Sequence, residues 1–131
     1  MIDLERLGGE AALSQLVERF YAGVEADRIL RPLYPADMSE SKRNLLLFLV
    51  QYWGGEPVYN RLRGHPRLRL RHQAFPIGPE ERDAWLSHMR AALDGLELDP
   101  EARAAVEHYF DSAAHSLVNA PQGNQGEGSK V

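Results

Sequence analysis

Apolar residues return at intervals of three and four along four separate stretches of this chain, and nowhere do they alternate convincingly at period two. That pattern confines the fold to packed helices and predicts an all-α domain. From Glu10 to about Glu25, Leu13, Leu16, Val17, Phe20 and Val24 mark one helical face. Pro32 and Pro35 then bracket Leu33 and Tyr34 and demand a turn, because neither proline suits a helix interior. A second helix is expected from about Ser39 to Trp53, stopped by Gly54 and Gly55. Its middle is apolar all round, the pattern of a sandwiched helix. A third opens with Gly78 as cap, Pro79 at the first helical position, and Glu80 and Glu81 facing the positive end of the dipole. Its expected buried stripe is Trp85, Leu86, Met89, Ala92 and Leu93. The fourth begins at Asp99 and Pro100, carries Val106, Tyr109, Phe110, Ala113 and Leu117, and ends before Pro121.

Between Gly54 and Gly78 the periodicity fades into Gly, Pro and Arg, with at most a short helical piece after Pro66. A segment this long without regular structure in a small domain points to function. Beyond it, the 131 residues suit one domain, expected over residues 1–121. The remaining residues 122–131, rich in Gly, Gln and Ser, have almost nothing to bury and are expected to be a disordered tail.

Composition removes several classes of function. A formal net charge of −4 argues against a nucleic-acid binder, which would carry a basic face. With no cysteine, disulfides, zinc knuckles, thiolate ligation and cysteine nucleophiles are excluded. The opening MIDLERLGGE has neither a basic start nor an apolar core of signal length. The longest apolar run, LLLFLV, is far short of the roughly 20 residues a membrane span needs. The expected location is the cytoplasm.

Five histidines are available for chemistry: His65, His72, His88, His108 and His115. None forms a His-Glu-x-x-His zinc motif, and the spacing of His65 and His72 in an Arg-rich stretch matches no recognised metal pair. No Ser/His/Asp order points to a hydrolase, and no Gly-rich loop after a strand points to a nucleotide. Residue types and periodicity lead to a small all-α domain with a functional loop. Taken alone, they leave open a cofactor-free helical binding or scaffold module.

Local strings go further. RFYAGV, LRPLYP, FLVQYWGG, GHPRLRLRH, ERDAWL and AAHSLVN occur in that order and spacing, with glycine pairs at Gly8-Gly9 and Gly54-Gly55. From Leu7 to Pro121 the chain resembles the truncated haemoglobins, most of all their second, haemoglobin O-like group. The resemblance implies a shortened globin fold, a two-over-two helical sandwich around haem b. Its implied function is binding of oxygen, carbon monoxide and nitric oxide at the iron. Nitric oxide dioxygenase or peroxidase-like redox activity is also implied, with a separate reductase because no flavin domain is present. The implied partners include no nucleic acid and no membrane, and a homo-oligomer stays open.

Residue by residue, the family's proximal histidine falls on His72 in RLRLRHQAF. Neutral imidazole ligates haem iron well, and its second nitrogen normally donates to a carbonyl that fixes the ring. His65 matches a family histidine with no ligand role and is expected to structure the loop. The ligand pocket is implied at Tyr21, Tyr34 and Trp85, whose hydroxyls and indole donate hydrogen bonds. By residue type alone, Tyr21 and Trp85 would be core aromatics. Ser41 falls where many globins carry a distal histidine or glutamine. Leu45 and Phe48 are expected on the wall, with Phe20 and Phe75 against the cofactor. For Arg67, Arg69 and Arg71 two readings stand: a solvated basic loop, or partners of the haem propionates, with Arg71 foremost and Tyr59 a weaker candidate.

Overall fold

The computed structural model describes residues 2–120, all helix, turn and loop, with no strand among them. The expected tail, 122–131, lies outside the described residues. Six helices follow one another: α1 (Gly9–Glu25), α2 (Ser39–Tyr52), α3 (Val58–Arg63), α4 (Leu68–Arg71), α5 (Pro79–Leu93) and α6 (Pro100–Ser116). Single 3₁₀ turns at Glu5–Leu7 and Arg31–Leu33 fill the connections before α1 and α2.

The long helices begin and end for local reasons. The Asp99 carboxylate accepts from the Ala102 amide at 2.8 Å, which caps α6 ahead of Pro100. At the start of α5, Glu81 reaches back to the Gly78 amide at 2.8 Å. α2 ends in a Schellman turn: the Gly55 amide bonds to the Val50 carbonyl at 2.8 Å and the Gly54 amide to that of Gln51 at 3.1 Å. Gly54 sits at φ +99°, where a side chain would be strained.

α1 packs on α2 and on α5, and α5 packs on α6, giving two helix pairs stacked on each other. Leu16, Phe20 and Val24 of α1 meet Met89 and Leu93 of α5 in a core where all five are fully buried. Removing that surface from water drives the fold, since each such side chain contributes roughly 1.5–3 kcal/mol on burial.

Two expectations require correction. The stretch from Gly54 to Gly78 holds two short helices, because α3 forms as well as α4. Six residues make under two turns, and α3 buries only Tyr59, so it leaves no periodic trace. The stripes on α5 and α6 also divide. Leu86, Met89 and Val106 are buried away from a cavity, Phe110 and Ala114 are buried at its wall, and Trp85, Tyr109, Ala113 and Leu117 are half-buried along the same wall. The same holds for the apolar middle of α2, where Leu45 and Phe48 are half-buried on the cavity wall.

A close approach holds α1 to α5. Gly23 abuts the His88 imidazole so tightly that a Cβ there would land on the ring. His88 Nε2 lies 2.6 Å from Asp27 Oδ2, and Asp27 also accepts from the Ile29 and Leu30 amides at 2.7 and 3.2 Å. The His88 contact holds the Asp27 carboxyl below the usual carboxylate range. Its stabilising contribution is present above the unfolded carboxylate pKa and is lost as pH falls through the lowered folded value. Gly23→Ala is expected to lower the thermal midpoint, as overpacking costs roughly 1–3 kcal/mol. In the His88→Ala background the same change should cost almost nothing. Equal penalties in both backgrounds, read by thermal melts, would refute the contact.

Candidate functional site

The helices enclose an apolar cavity of about 370 Å³, within the usual range of cofactor sites. Of the five histidines, only His72 lines it. The chain reaches His72 through an unusual turn. Arg67, at φ 45° and ψ 56°, is the single non-glycine residue with positive φ among those described, and α4 starts from it. Five residues later, His72 closes α4 as its C-cap. Its Nδ1 lies 2.7 Å from the Leu68 carbonyl. A carbonyl only accepts, so Nδ1 carries the proton and Nε2 keeps its lone pair, the tautomer needed for metal ligation.

A second clamp holds the loop after His72. The Asn119 side-chain amide donates to the Phe75 carbonyl at 3.0 Å and to the His72 carbonyl at 3.3 Å. Its side-chain oxygen accepts from the Ile77 amide at 2.9 Å, and its own amide returns a bond to the Ile77 carbonyl at 2.7 Å. Nothing in the periodicity marks Asn119; only its place in AAHSLVN could have drawn attention to it.

Tyr21, Tyr34 and Trp85 come together on the cavity wall. The rings of Tyr21 and Tyr34 meet edge-on at 5.5 Å. Phe20, fully buried, is not on the wall; it backs Tyr21 at 5.1 Å and Trp85 at 5.2 Å. Burial pushes the Tyr34 phenol up to about 12, while donation from Trp85 and Tyr21 pulls it the other way. The Tyr21 phenol is raised further, first by burial and then by Tyr34. Both phenols are therefore neutral donors around neutral pH. Ser41 and Leu45 also line the cavity and are half-buried, so each is placed to meet a small molecule there.

The basic loop divides. Arg67 and Arg69 are exposed and away from the cavity wall. Arg71 is on the wall, but its guanidinium already holds the loop together, donating to the carbonyls of Pro66 at 2.6 Å, Arg63 at 2.8 Å and His65 at 3.3 Å. His65 enters this arrangement through its backbone, and its side chain is exposed. Arg63 and Arg71 each lie 5.8 Å from the ring centroid of Tyr59, which is buried on the wall. Phe75 reaches the cavity while remaining 42% exposed, which places it at the mouth. Arg63 and Arg82, also on the wall, lie outside the RLRLRH string and were missed. Among the described residues no three His, Cys, Asp or Glu side chains converge as a metal cluster.

Two helix pairs closed over such a cavity, with one imidazole and a group of phenol and indole donors on its wall, have the anatomy of a globin. A family model of bacterial-like globins matches residues 4–119. A group 2 truncated haemoglobin of Bacillus subtilis is 44% identical over 111 residues, 85% of this chain and 84% of that one. The crystal structure of haemoglobin from the thermophilic phototrophic bacterium Chloroflexus aurantiacus matches with a TM-score of 0.88 at 51% identity, covering 91% of this chain and 98% of its own. A truncated oxygen-avid haemoglobin from Bacillus subtilis matches with a TM-score of 0.85 at 42% identity, covering 91% and 100%. The chain belongs to the bacterial-like globins, and within them to the group II truncated haemoglobins. Membership implies haem binding.

Proposed function

We propose that the cavity holds haem b on His72 and binds oxygen and other diatomic ligands beside Tyr21, Tyr34 and Trp85. The observation that carries this reading is the 2.7 Å contact of His72 Nδ1 with the Leu68 carbonyl, which leaves Nε2 of the neutral ring free to ligate a metal. Haem iron supplies an open coordination position for a diatomic gas; the chain supplies the rest. Phe48 and Leu45 give the apolar wall, Phe75 covers the mouth, and Arg63 and Arg71 at Tyr59 offer positive charge to the propionates. Neutral donors favour a ligand that becomes partly negative when bound, which suits slow release of oxygen better than bulk transport. An oxygen-avid relative supports the same reading. Nitric oxide dioxygenation or peroxide reduction at this site would draw electrons from a separate reductase. No helix among the described residues is long and apolar enough to cross a membrane.

An absorption spectrum tests the assignment. Purified protein mixed with haemin is expected to give a strong Soret band that shifts when the reduced form meets carbon monoxide. A chain that stays colourless would refute the haem reading.

A further inference from the structure

The loop that carries His72 also holds the most uneven charge in the chain. Between Arg61 and Arg71 lie five of the fifteen Lys and Arg residues and none of the nineteen Asp and Glu. The whole chain has a formal charge of −4, so everything outside this stretch is more acidic still. Among the described residues only Arg61 of the five meets a carboxylate, that of Glu56 at 2.8 Å. Arg63 and Arg71 are on the cavity wall, where the propionates of the proposed haem would neutralise them. Arg67 and Arg69 are exposed and off that wall. Crowded like charges repel, so they call for anions from outside the chain.

Apolar surface gathers in the same place. Four large apolar side chains are exposed among the described residues, and Leu70 at 61%, Leu62 at 58% and Phe75 at 42% all belong to this loop. Arg71 ties the two short helices together through the Arg63 and Pro66 carbonyls, which gives the patch a fixed shape. Its cations are all arginine and none is lysine. Protein interfaces are enriched in arginine and depleted in lysine, so the composition favours a protein partner. Neither α3, with six residues, nor α4, with four, offers the long apolar face with which a helix lies in a bilayer.

We propose that this patch is the docking surface for an acidic electron-carrier protein, of the flavin or iron–sulfur class, that reduces haem iron at the cavity mouth. This rests on the haem reading above. Phe75 sets the mouth within the patch, so a partner seated on the loop faces the opening to the cofactor. Arg67 and Arg69 steer the carboxylates of the carrier, and Leu62 and Leu70 supply contact that excludes water. One electron leaves the carrier, which is oxidised by one unit, and the iron passes from ferric to ferrous. No bond forms or breaks, and no proton is needed.

The test uses the full chain loaded with haemin, and a plant-type [2Fe–2S] ferredoxin as the acidic carrier. Binding is read by calorimetry with both proteins oxidised, and reduction by stopped flow. Binding should be measurable at low ionic strength and fall steeply with added salt, and basic cytochrome c should not bind. In Arg67→Asn/Arg69→Glu the asparagine suits the positive φ of position 67, so the Soret band should remain. Its association with ferredoxin should slow roughly tenfold or more at low salt, and approach the wild type where salt screens the charges. Leu70→Gln should weaken binding at every salt concentration. If the double variant loses its Soret band, Arg69→Glu alone replaces it. A wild type without a Soret band overturns the haem reading itself. A wild type that has the band but does not bind ferredoxin, or variants that bind as tightly as it does, would overturn the docking surface. Tighter capture by phosphatidylserine vesicles than by ferredoxin would overturn it in favour of a membrane, and a dimer that the double variant dissolves in favour of a second copy.

Discussion

His72→Ala is expected to yield a folded chain that no longer retains haem. Altering a group that merely orients a metal ligand costs roughly 10–100-fold in metal affinity, and removing the ligand itself should exceed that. The protein's stability on adding haemin should respond accordingly, because a cofactor bound only by the native state stabilises it by mass action. The core of α1, α5 and α6 does not involve His72, so helix content should survive. His65→Ala, His88→Ala, His108→Ala and His115→Ala should each keep the Soret band, since none of the four is on the cavity wall. Haem loss in one of these four, together with a normal spectrum for His72→Ala, would disprove the ligand assignment.

The second large effect is expected in ligand release. A hydrogen bond to a group carrying developing charge is worth on the order of 1.5–3 kcal/mol, and about 1.4 kcal/mol is tenfold in an equilibrium constant. Trp85→Phe or Tyr21→Phe should therefore speed oxygen dissociation by roughly ten- to a hundredfold, and the less polar carbon monoxide should respond less. Because Tyr21, Tyr34 and Trp85 converge on the same cavity wall, with the two phenol rings in edge-on contact, they should act as one network. The double variant should fall short of the product of the singles. With Tyr34 pushed up to about 12, the wild-type off-rate should be flat through the neutral pH range. Stopped-flow measurements on Tyr21→Phe, Tyr34→Phe and Trp85→Phe decide the matter. Three wild-type off-rates would demote these side chains to packing and shift attention to Ser41.

The four long helices were legible because each buries a stripe and carries its own stop signals, as Asp99-Pro100 and Gly54-Gly55 do. α3 was not, since a helix that buries Tyr59 alone has no period to detect. Nor does a periodic pattern separate core from cavity wall. Trp85 and Leu86 are neighbours with equal claim to an apolar stripe, yet one faces the cavity and the other the core. That distinction depends on how α5 is rotated against α1, where Gly23 meets His88 closely, and no local pattern records it. Within the site, His72 and its carbonyl partner four residues earlier belong to one turn and could be anticipated together. The fate of the arginines could not, because Arg71 is turned toward three backbone carbonyls that the fold alone brings within reach.

Asn119 connects two segments that the sequence keeps far apart. Beyond the last turn of α6, it is bonded to the backbone of His72, Phe75 and Ile77. Local opening in proteins proceeds in contiguous cooperative units, and these bonds place the segment after α6 and the ligand loop in the same unit. Fraying at Asn119 and loosening of the imidazole are thus a single event with a single free energy. With haem held on His72 as proposed, its lifetime in the cavity would be set in part by how well a short stretch of backbone, 47 residues downstream of His72, stays closed.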